Sequence, residues 1–440
     1  MNCYKNMISK RKPVTHEYLK QSRKTRPIVG KVLLGKLKQL KTSIEERAYK
    51  AAKETHPQNR ITCQKIRRPK HPCARRPKII SNKEEANFII ENTVIRDIDG
   101  GKLNAALLMN RLPVIVMQSP PLPPAKLRQL NKKYFEKIGW REAYNDLGWC
   151  MVHDSVLVVY WDANANNYVF HCLSLSHRQF PEVASAEKNS CKCIASILSG
   201  LDFVIGKSRT SIRDGVKLRG GQGSPGKAGF QEGQKVKGEM AMEGWVLAPT
   251  IAPKNGYEQS YAYYALKKHT NPDSIMPDCA RHAVALNTLE GLHCPSANRA
   301  RREETKHLRG IYPGLADLAP GTGFTGTAGY ACELHLDSST RGTFETIWFG
   351  PPPQLPKDHK WIFALADAGV LINLQHSPTF LMIPGQDVLH GTMYTGHASG
   401  RDHVEHKAGG SALMNKRKLT NSRSRTYKRL HLAREHRIVN

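Results

Sequence analysis

Two stretches of the chain alternate short apolar runs with turn residues, and the rest does not. In the first, Glu84-Glu85-Ala86-Asn87 begins a short helix and Asn92–Asp97 reads as a strand. Gly100–Asn110 reads as helical, and Leu112–Met117 as a buried strand stopped by Ser119-Pro120-Pro121. Pro124–Ile138 has the spacing of an amphipathic helix with one basic side. Val156–Trp161 and Tyr168–Leu173 form a hairpin around Asp162–Asn167, whose Asn-rich composition suits a turn.

In the second stretch order resumes at Glu243–Ala248, and Tyr257–His269 and Asp278–Leu292 have the look of two packing helices. Asn298–Leu308 is charged and reads as exposed, and Gly321–Gly329 as a Gly/Thr loop. Then come aromatic and β-branched runs at Thr343–Phe349, Trp361–Leu365, Gly369–Gln375, Thr379–Ile383 and Val388–Thr392, with one more at Ser411–Asn415. Short strands at regular spacing, divided by Pro and Gly, predict a sandwich or barrel.

Outside these stretches the pattern is polar. Residues 1–81 are poor in large apolar side chains except for Leu33, Leu34, Leu37 and Leu40, which predict a helix over Val32–Ala52. Gly206–Gly238 is Gly-rich and basic with few aliphatic residues, and reads as a flexible insertion. Its Gly220-Gly221-Gln222-Gly223 follows no strand and lacks the Gly-Lys-Ser/Thr ending of a phosphate loop.

Charge sharpens the division. Residues 1–80 hold 23 Lys/Arg against 4 Asp/Glu, and residues 401–440 hold 11 against 3. The net charge of +30 therefore sits almost entirely at the two ends. Basic arms around a near-neutral centre are the footprint of a polyanion binder, nucleic acid above all. Solubility or nuclear import is the plainer use of such arms, and clusters such as Arg67-Arg68-Pro69-Lys70 and Arg75-Arg76-Pro77-Lys78 fit either. No secretory leader and no membrane-length apolar run is visible. The ten cysteines follow no disulfide framework, so a nuclear or cytoplasmic setting is expected. Cys63, His71 and Cys73 lack a fourth partner at zinc-site spacing and read as unpaired thiols and a lone imidazole.

Chemistry concentrates between Gly329 and Thr392. His335 and Asp337 are two apart, so on a strand they share a face. His390 follows the Pro384-Gly385 turn several strands later. Two imidazoles and one carboxylate on one face of a metal leave three positions open. That facial arrangement suits non-haem Fe(II). His153 and His171 beside the hairpin read as structural.

His335-x-Asp337, the run of short strands, Pro384-Gly385-Gln386-Asp387 and His390-Gly391-Thr392 resemble the Fe(II)/2-oxoglutarate dioxygenases. His335–Gly350 and Gly410–Asn421 look most like the fungal TET/JBP-like branch, which oxidises the methyl group of 5-methylcytosine or thymine. The resemblance spans about Gly310–Asn421. It implies Fe(II) held by His335, Asp337 and His390, with 2-oxoglutarate as co-substrate, and a double-stranded β-helix, or jelly roll. The family places a cation for the far carboxylate of 2-oxoglutarate on or just before the last strand. Arg401 fits that separation best, then Lys407, then Arg417, while Gly409-Gly410 stands where the branch has its Arg.

The expected fold is thus α+β: a basic, largely disordered arm at 1–81, a smaller α/β region at 82–205 and a Gly-rich basic loop at 206–240. A jelly-roll oxygenase domain with flanking helices follows at 241–422, and a basic tail at 423–440. The expected activity is hydroxylation of a nucleobase methyl group in DNA, bound through the basic termini. The alternatives are a catalytically degenerate nucleic-acid-binding relative and a dioxygenase acting on protein side chains.

Overall fold

The computed structural model describes residues 31–54, 68–138, 147–186, 189–192, 211–213, 216–218, 236–247, 261–264, 272–304, 318, 323–332, 334–336, 344–350, 360–375, 377–385, 387–395 and 407–412. The expected tail at 423–440 and most of the Gly-rich loop lie outside the described residues.

The helices are α1 (Lys31–Lys53), α2 (Lys83–Asn92), α3 (Ala105–Leu108), α4 (Pro124–Ile138), α5 (Pro272–His293) and α6 (Pro295–Glu304), with a 3-10 turn at Pro181–Val183. The strands of the first half are β1 (Lys78–Ile80), β2 (Thr93–Val94), β3 (Val114–Met117), β4 (Cys150–Val152), β5 (Val156–Asp162), β6 (Asn167–Ser176), β7 (Ser211–Arg213) and β8 (Val216–Leu218). Those of the second are β9 (Val236–Leu247), β10 (Tyr261–Tyr264), β11 (Gly323–Cys332), β12 (Phe344–Phe349), β13 (Lys360–Leu365), β14 (Val370–Asn373), β15 (Thr379–Pro384), β16 (His390–Thr395) and β17 (Lys407–Ala412). The chain is mixed α and β with two mixed sheets. The larger runs β1-β3-β5-β6-β15-β12-β17-β11-β9-β10, with β2 beside β6, and the smaller runs β16-β13-β14-β4. Among the described residues β7 and β8 pair with each other alone.

Period-two alternation builds the layers. On β5, Leu157 and Val159 face one way and Val156, Val158 and Tyr160 the other. On β15, Phe380 and Met382 part from Leu381 and Ile383 in the same way. The first set packs under helices α1, α2 and α5, joining Ile44, Ile89, Leu286 and Leu289. The second meets Trp361, Phe363, Leu365, Val370 and Ile372 of the smaller sheet. The outer face of that sheet, with Ile362, Ala364 and Leu371, is covered by Leu127 of α4, Trp149 and Leu334. A strand buried on both faces reads as a continuous apolar run, as Val156–Tyr160 does.

The second half pairs like a nested hairpin. β11 pairs β17, His335 bridges His390, β12 pairs β15, and β13 pairs β14, all antiparallel. The innermost pair turns at Ala366–Gly369. Gly369 has φ +65°, and a Cβ there would come within 2.7 Å of the Arg75 carbonyl, so only glycine closes this turn unstrained. Further antiparallel ladders join β12 to β17 and β13 to β16.

The structure corrects several expectations. The leucine stripe of α1 does not float in an arm: Leu37, Ile44 and Ala48 are fully buried, and His71, Cys73 and Ala74 are buried as well. A largely disordered arm over 1–81 is therefore not what residues 31–54 and 68–81 form, because their apolar positions reach the core. Region 82–205 is not separate from 241–422. β6 extends the ladder of β15, and β4 that of β14. Within Tyr257–His269, expected as a helix, Tyr261–Tyr264 is a strand paired with Gly244–Leu247, a place that suits its aromatic residues. The Gly/Thr stretch expected as a loop is β11, held by main-chain ladders on both sides. The helical reading of Gly100–Asn110 holds only for α3, after a turn in which Gly100 has φ +59°. Asn298 and Arg301, expected to be exposed, are buried on α6, where Arg301 meets Glu290 at 2.9 Å.

Candidate metal centre

His335 and His390 face each other as one rung of the nested ribbon. The His335 amide donates to the His390 carbonyl at 2.7 Å, and the His390 amide donates back at 3.0 Å. Such a doubly bonded antiparallel pair places both side chains on one face. The ring centroids are 4.5 Å apart at 53°, and both residues are more than nine-tenths buried. Leu334, Leu336 and Leu389, the sequence neighbours of the pair, sit in the cluster against α4. The Leu-His-Leu alternation therefore turns the imidazoles away from that cluster.

The surroundings fix the second ring. The Val388 carbonyl lies 3.0 Å from His390 Nδ1 and can only accept, so Nδ1 carries a proton. An imidazole held this way by a backbone carbonyl has its ring orientation fixed, as metal-ligating histidines commonly do. Phe363 stacks on the ring at 5.3 Å and 19°, and Phe349 lies 5.8 Å beyond. The pair thus borders apolar core, where a bound ion would feel a low dielectric.

The rung brings two residues of the expected triad together. Asp337, the third residue of the expected triad, lies outside the described residues. Among the described residues no cluster of three or more His, Cys, Asp or Glu side chains could hold a metal ion. Of the expected co-substrate anchors, Arg401 and Arg417 lie outside the described residues. Lys407 opens β17 of the larger sheet, opposite Ala328. Gly409 and Gly410 fall opposite Trp348 and Ile347 of β12, so that rung carries no cation.

His71 and Cys73 are no zinc site. The Cys73 amide donates to His71 Nδ1 at 3.2 Å, and His71 Nε2 meets Asn131 Oδ1 at 3.1 Å. Both ring nitrogens are in use, and burial lowers the pKa of the ring to about 4. The ring packs edge-on against Tyr134 of α4 at 4.7 Å, which anchors the 68–75 segment. Cys63 lies outside the described residues.

Reading the sequence alone missed Val388 and Phe363. The Val388 contact is a backbone carbonyl and leaves no side-chain signal. Phe363 had one: it stands on a strand facing His390, in a ladder that pairs Leu365 with His390 and Phe363 with Thr392.

No known family model and no curated protein matches the chain. Among solved structures it is similar to the crystal structure of a bsmA homolog from Methylobium petroleophilum PM1. The two are 10% identical, with a TM-score of 0.25 over 56% of this chain and 89% of that one. Among the described residues no helix is long and apolar enough to cross a membrane.

Proposed function

We propose that the chain is an Fe(II)/2-oxoglutarate-dependent oxygenase of the TET/JBP-like kind, oxidising a methyl group on a nucleobase in DNA. The observation that carries this reading is the His335–His390 rung, two adjacent buried imidazoles of which one has its ring orientation fixed by the protein. Strand order supports the fold that goes with it. Counting from β11, with the His335 segment as the second piece, the first pairs the eighth, the second the seventh, the third the sixth and the fourth the fifth. Pieces one, three, six and eight lie in the larger sheet, and pieces four, five and seven in the smaller, where the second bridges onto the seventh. A two-stranded ribbon wound into a helix, the double-stranded β-helix, has this connectivity.

In this reading His335, Asp337 and His390 hold the iron, and Arg401 or Lys407 binds the far carboxylate of 2-oxoglutarate. Iron with 2-oxoglutarate and oxygen supplies C–H oxidation, with succinate and carbon dioxide as the other products. The protein orients the His390 ring through Val388 and the Phe363 stack and keeps bulk water from the pair. The basic termini bind the phosphate backbone and offset part of the cost of taking a base out of the stack.

A degenerate, non-catalytic relative is favoured by one observation, the Gly409-Gly410 rung where a cation is expected. Mass spectrometry of 5-methylcytosine DNA incubated with protein, Fe(II) and 2-oxoglutarate separates the two. The oxygenase yields hydroxymethylcytosine and succinate, both absent in His390→Ala. Succinate without any change in the DNA would redirect the search to peptide substrates, and neither product would leave the degenerate reading.

A further inference from the structure

A cavity of about 380 Å³ opens between the β5–β6 hairpin, residues 95–97 and 121–124, and the turn at Pro384–Asp387. Neither His335 nor His390 lines it, and its volume is in the range of small-molecule pockets.

Two uncharged hydrogen-bonding groups in its wall have capacity left over. The first owes its place to a slip in the β5–β6 ladder. Val158 pairs Cys172 while Val159 pairs Phe170, so His171 is the extra residue of a β-bulge. Bulges re-aim a side chain, and this one brings His171 Nε2 to 3.1 Å from Asp367 Oδ1, at the turn between β13 and β14. A carboxylate accepts, so Nε2 carries a proton, and the neutral ring keeps its acceptor at Nδ1. His171 lines the cavity and is almost fully buried, yet Nδ1 makes no hydrogen bond among the described residues.

The second is Tyr160. It is 3% exposed and lines the cavity, and its hydroxyl makes no hydrogen bond among the described residues either. A phenol this buried ordinarily finds a partner. Burial pushes its pKa up to about 12, so at neutral pH it stays an uncharged donor. Its ring lies 6.4 Å from the His171 ring, edge-on, which brings both groups within reach of one bicyclic ligand.

The charged groups of the wall are already engaged. Arg96 lies over a face of the Tyr160 ring at 5.6 Å and pairs with Asp162 at 3.4 Å, and Asp97 and Asp387 each interact with neighbours of their own. With Arg96 on its face, Tyr160 meets a ligand through the hydroxyl edge. Leu122, Phe170, Phe344 and a run of prolines make much of the remaining wall apolar. A charged ligand would be desolvated there without a spare counter-charge, so the site favours a neutral one.

From these observations we infer that the cavity binds a small, uncharged cyclic amide. Its carbonyl accepts from the Tyr160 hydroxyl, its N–H donates to His171 Nδ1, and its ring lies against the apolar wall. Such a ligand does not depend on metal at the histidine rung.

Equilibrium dialysis of the full chain against 2-quinolone tests it, with coumarin as control. Coumarin has the same shape and carbonyl, but a ring oxygen replaces the N–H. The native chain should bind one 2-quinolone, and coumarin about tenfold more weakly, the loss expected when the His171 acceptor faces a lone pair. Tyr160→Phe, which keeps the ring and its packing, should weaken both ligands about fivefold. Chelator-treated protein should bind as the native chain does. No saturable binding of 2-quinolone, equal binding of coumarin, full affinity in a folded Tyr160→Phe variant, or loss of binding on chelation would each overturn the assignment.

Discussion

At the scale of single residues, burial sets the protonation of two histidines outside the proposed metal centre. Burial lowers the pKa of both His71 and His282 to about 4, and both rings are closed off from solvent. In the unfolded chain each returns to about 6.5. Between those values the unfolded state binds more protons, so stability is full above about pH 6.5 and falls as pH drops toward 4. Each ring contributes on the order of 3 kcal/mol across that window. Denaturant midpoints measured from pH 7 to pH 4.5 should fall steeply, and less steeply in His282→Gln, which keeps a hydrogen-bonding group beside Ser190. A slope unaltered by that change would mean that His282 titrates normally.

At the scale of elements, α5 and α6 are tied to β12 by one side chain. Arg301 meets Glu290 of α5 at 2.9 Å and donates to the Phe344 carbonyl at 2.5 Å, with the arginine and the glutamate both nearly inaccessible. Arg301→Ala leaves Glu290 buried without its cation and should cost about 3–5 kcal/mol in chemical denaturation. Glu290→Gln in the same background should recover part of that cost. The sequence misled here because Asn298–Leu308 has so few apolar residues that it reads as solvent-facing. Burial follows from a polar pair that only the fold brings together. By contrast, Pro124–Ile138 and the strands at 344–349, 360–365, 370–373 and 379–384 were legible nearly to the residue. Their apolar runs are dense, and Pro or Gly closes most of them. β11 was not, since glycines at 323, 326 and 329 interrupt Gly323–Cys332 and make it read as a loop, whereas its form is owed to ladders with β9 and β17. The two histidines were legible as chemistry. Their meeting as one rung was not, because it depends on the nesting of pairs far apart in sequence.

At the scale of the whole molecule, charge and fold divide the N-terminal region at a different place from composition. Residues 31–53 belong to the core through Leu37, Ile44 and Ala48, whereas residues 1–30 carry eight Lys/Arg against one Asp/Glu. Deleting 1–30 should flatten the salt dependence of DNA binding, by roughly 0.9 in log–log slope for each phosphate no longer neutralised. Extending the deletion through residue 54 should unfold the helical layer. An unchanged slope after the shorter deletion would make that segment an address and not a DNA-binding arm. The central claim is that the His335–His390 rung holds iron in reach of 2-oxoglutarate. It is tested most directly by anaerobic titration of 2-oxoglutarate into Fe(II)-loaded protein, following the visible iron-to-co-substrate charge-transfer band. The band should grow to saturation in the native chain, require higher 2-oxoglutarate in Arg401→Ala or Lys407→Ala, and be absent in His390→Ala. A native chain that takes up no iron, or that binds iron and never develops the band, would contradict the oxygenase reading.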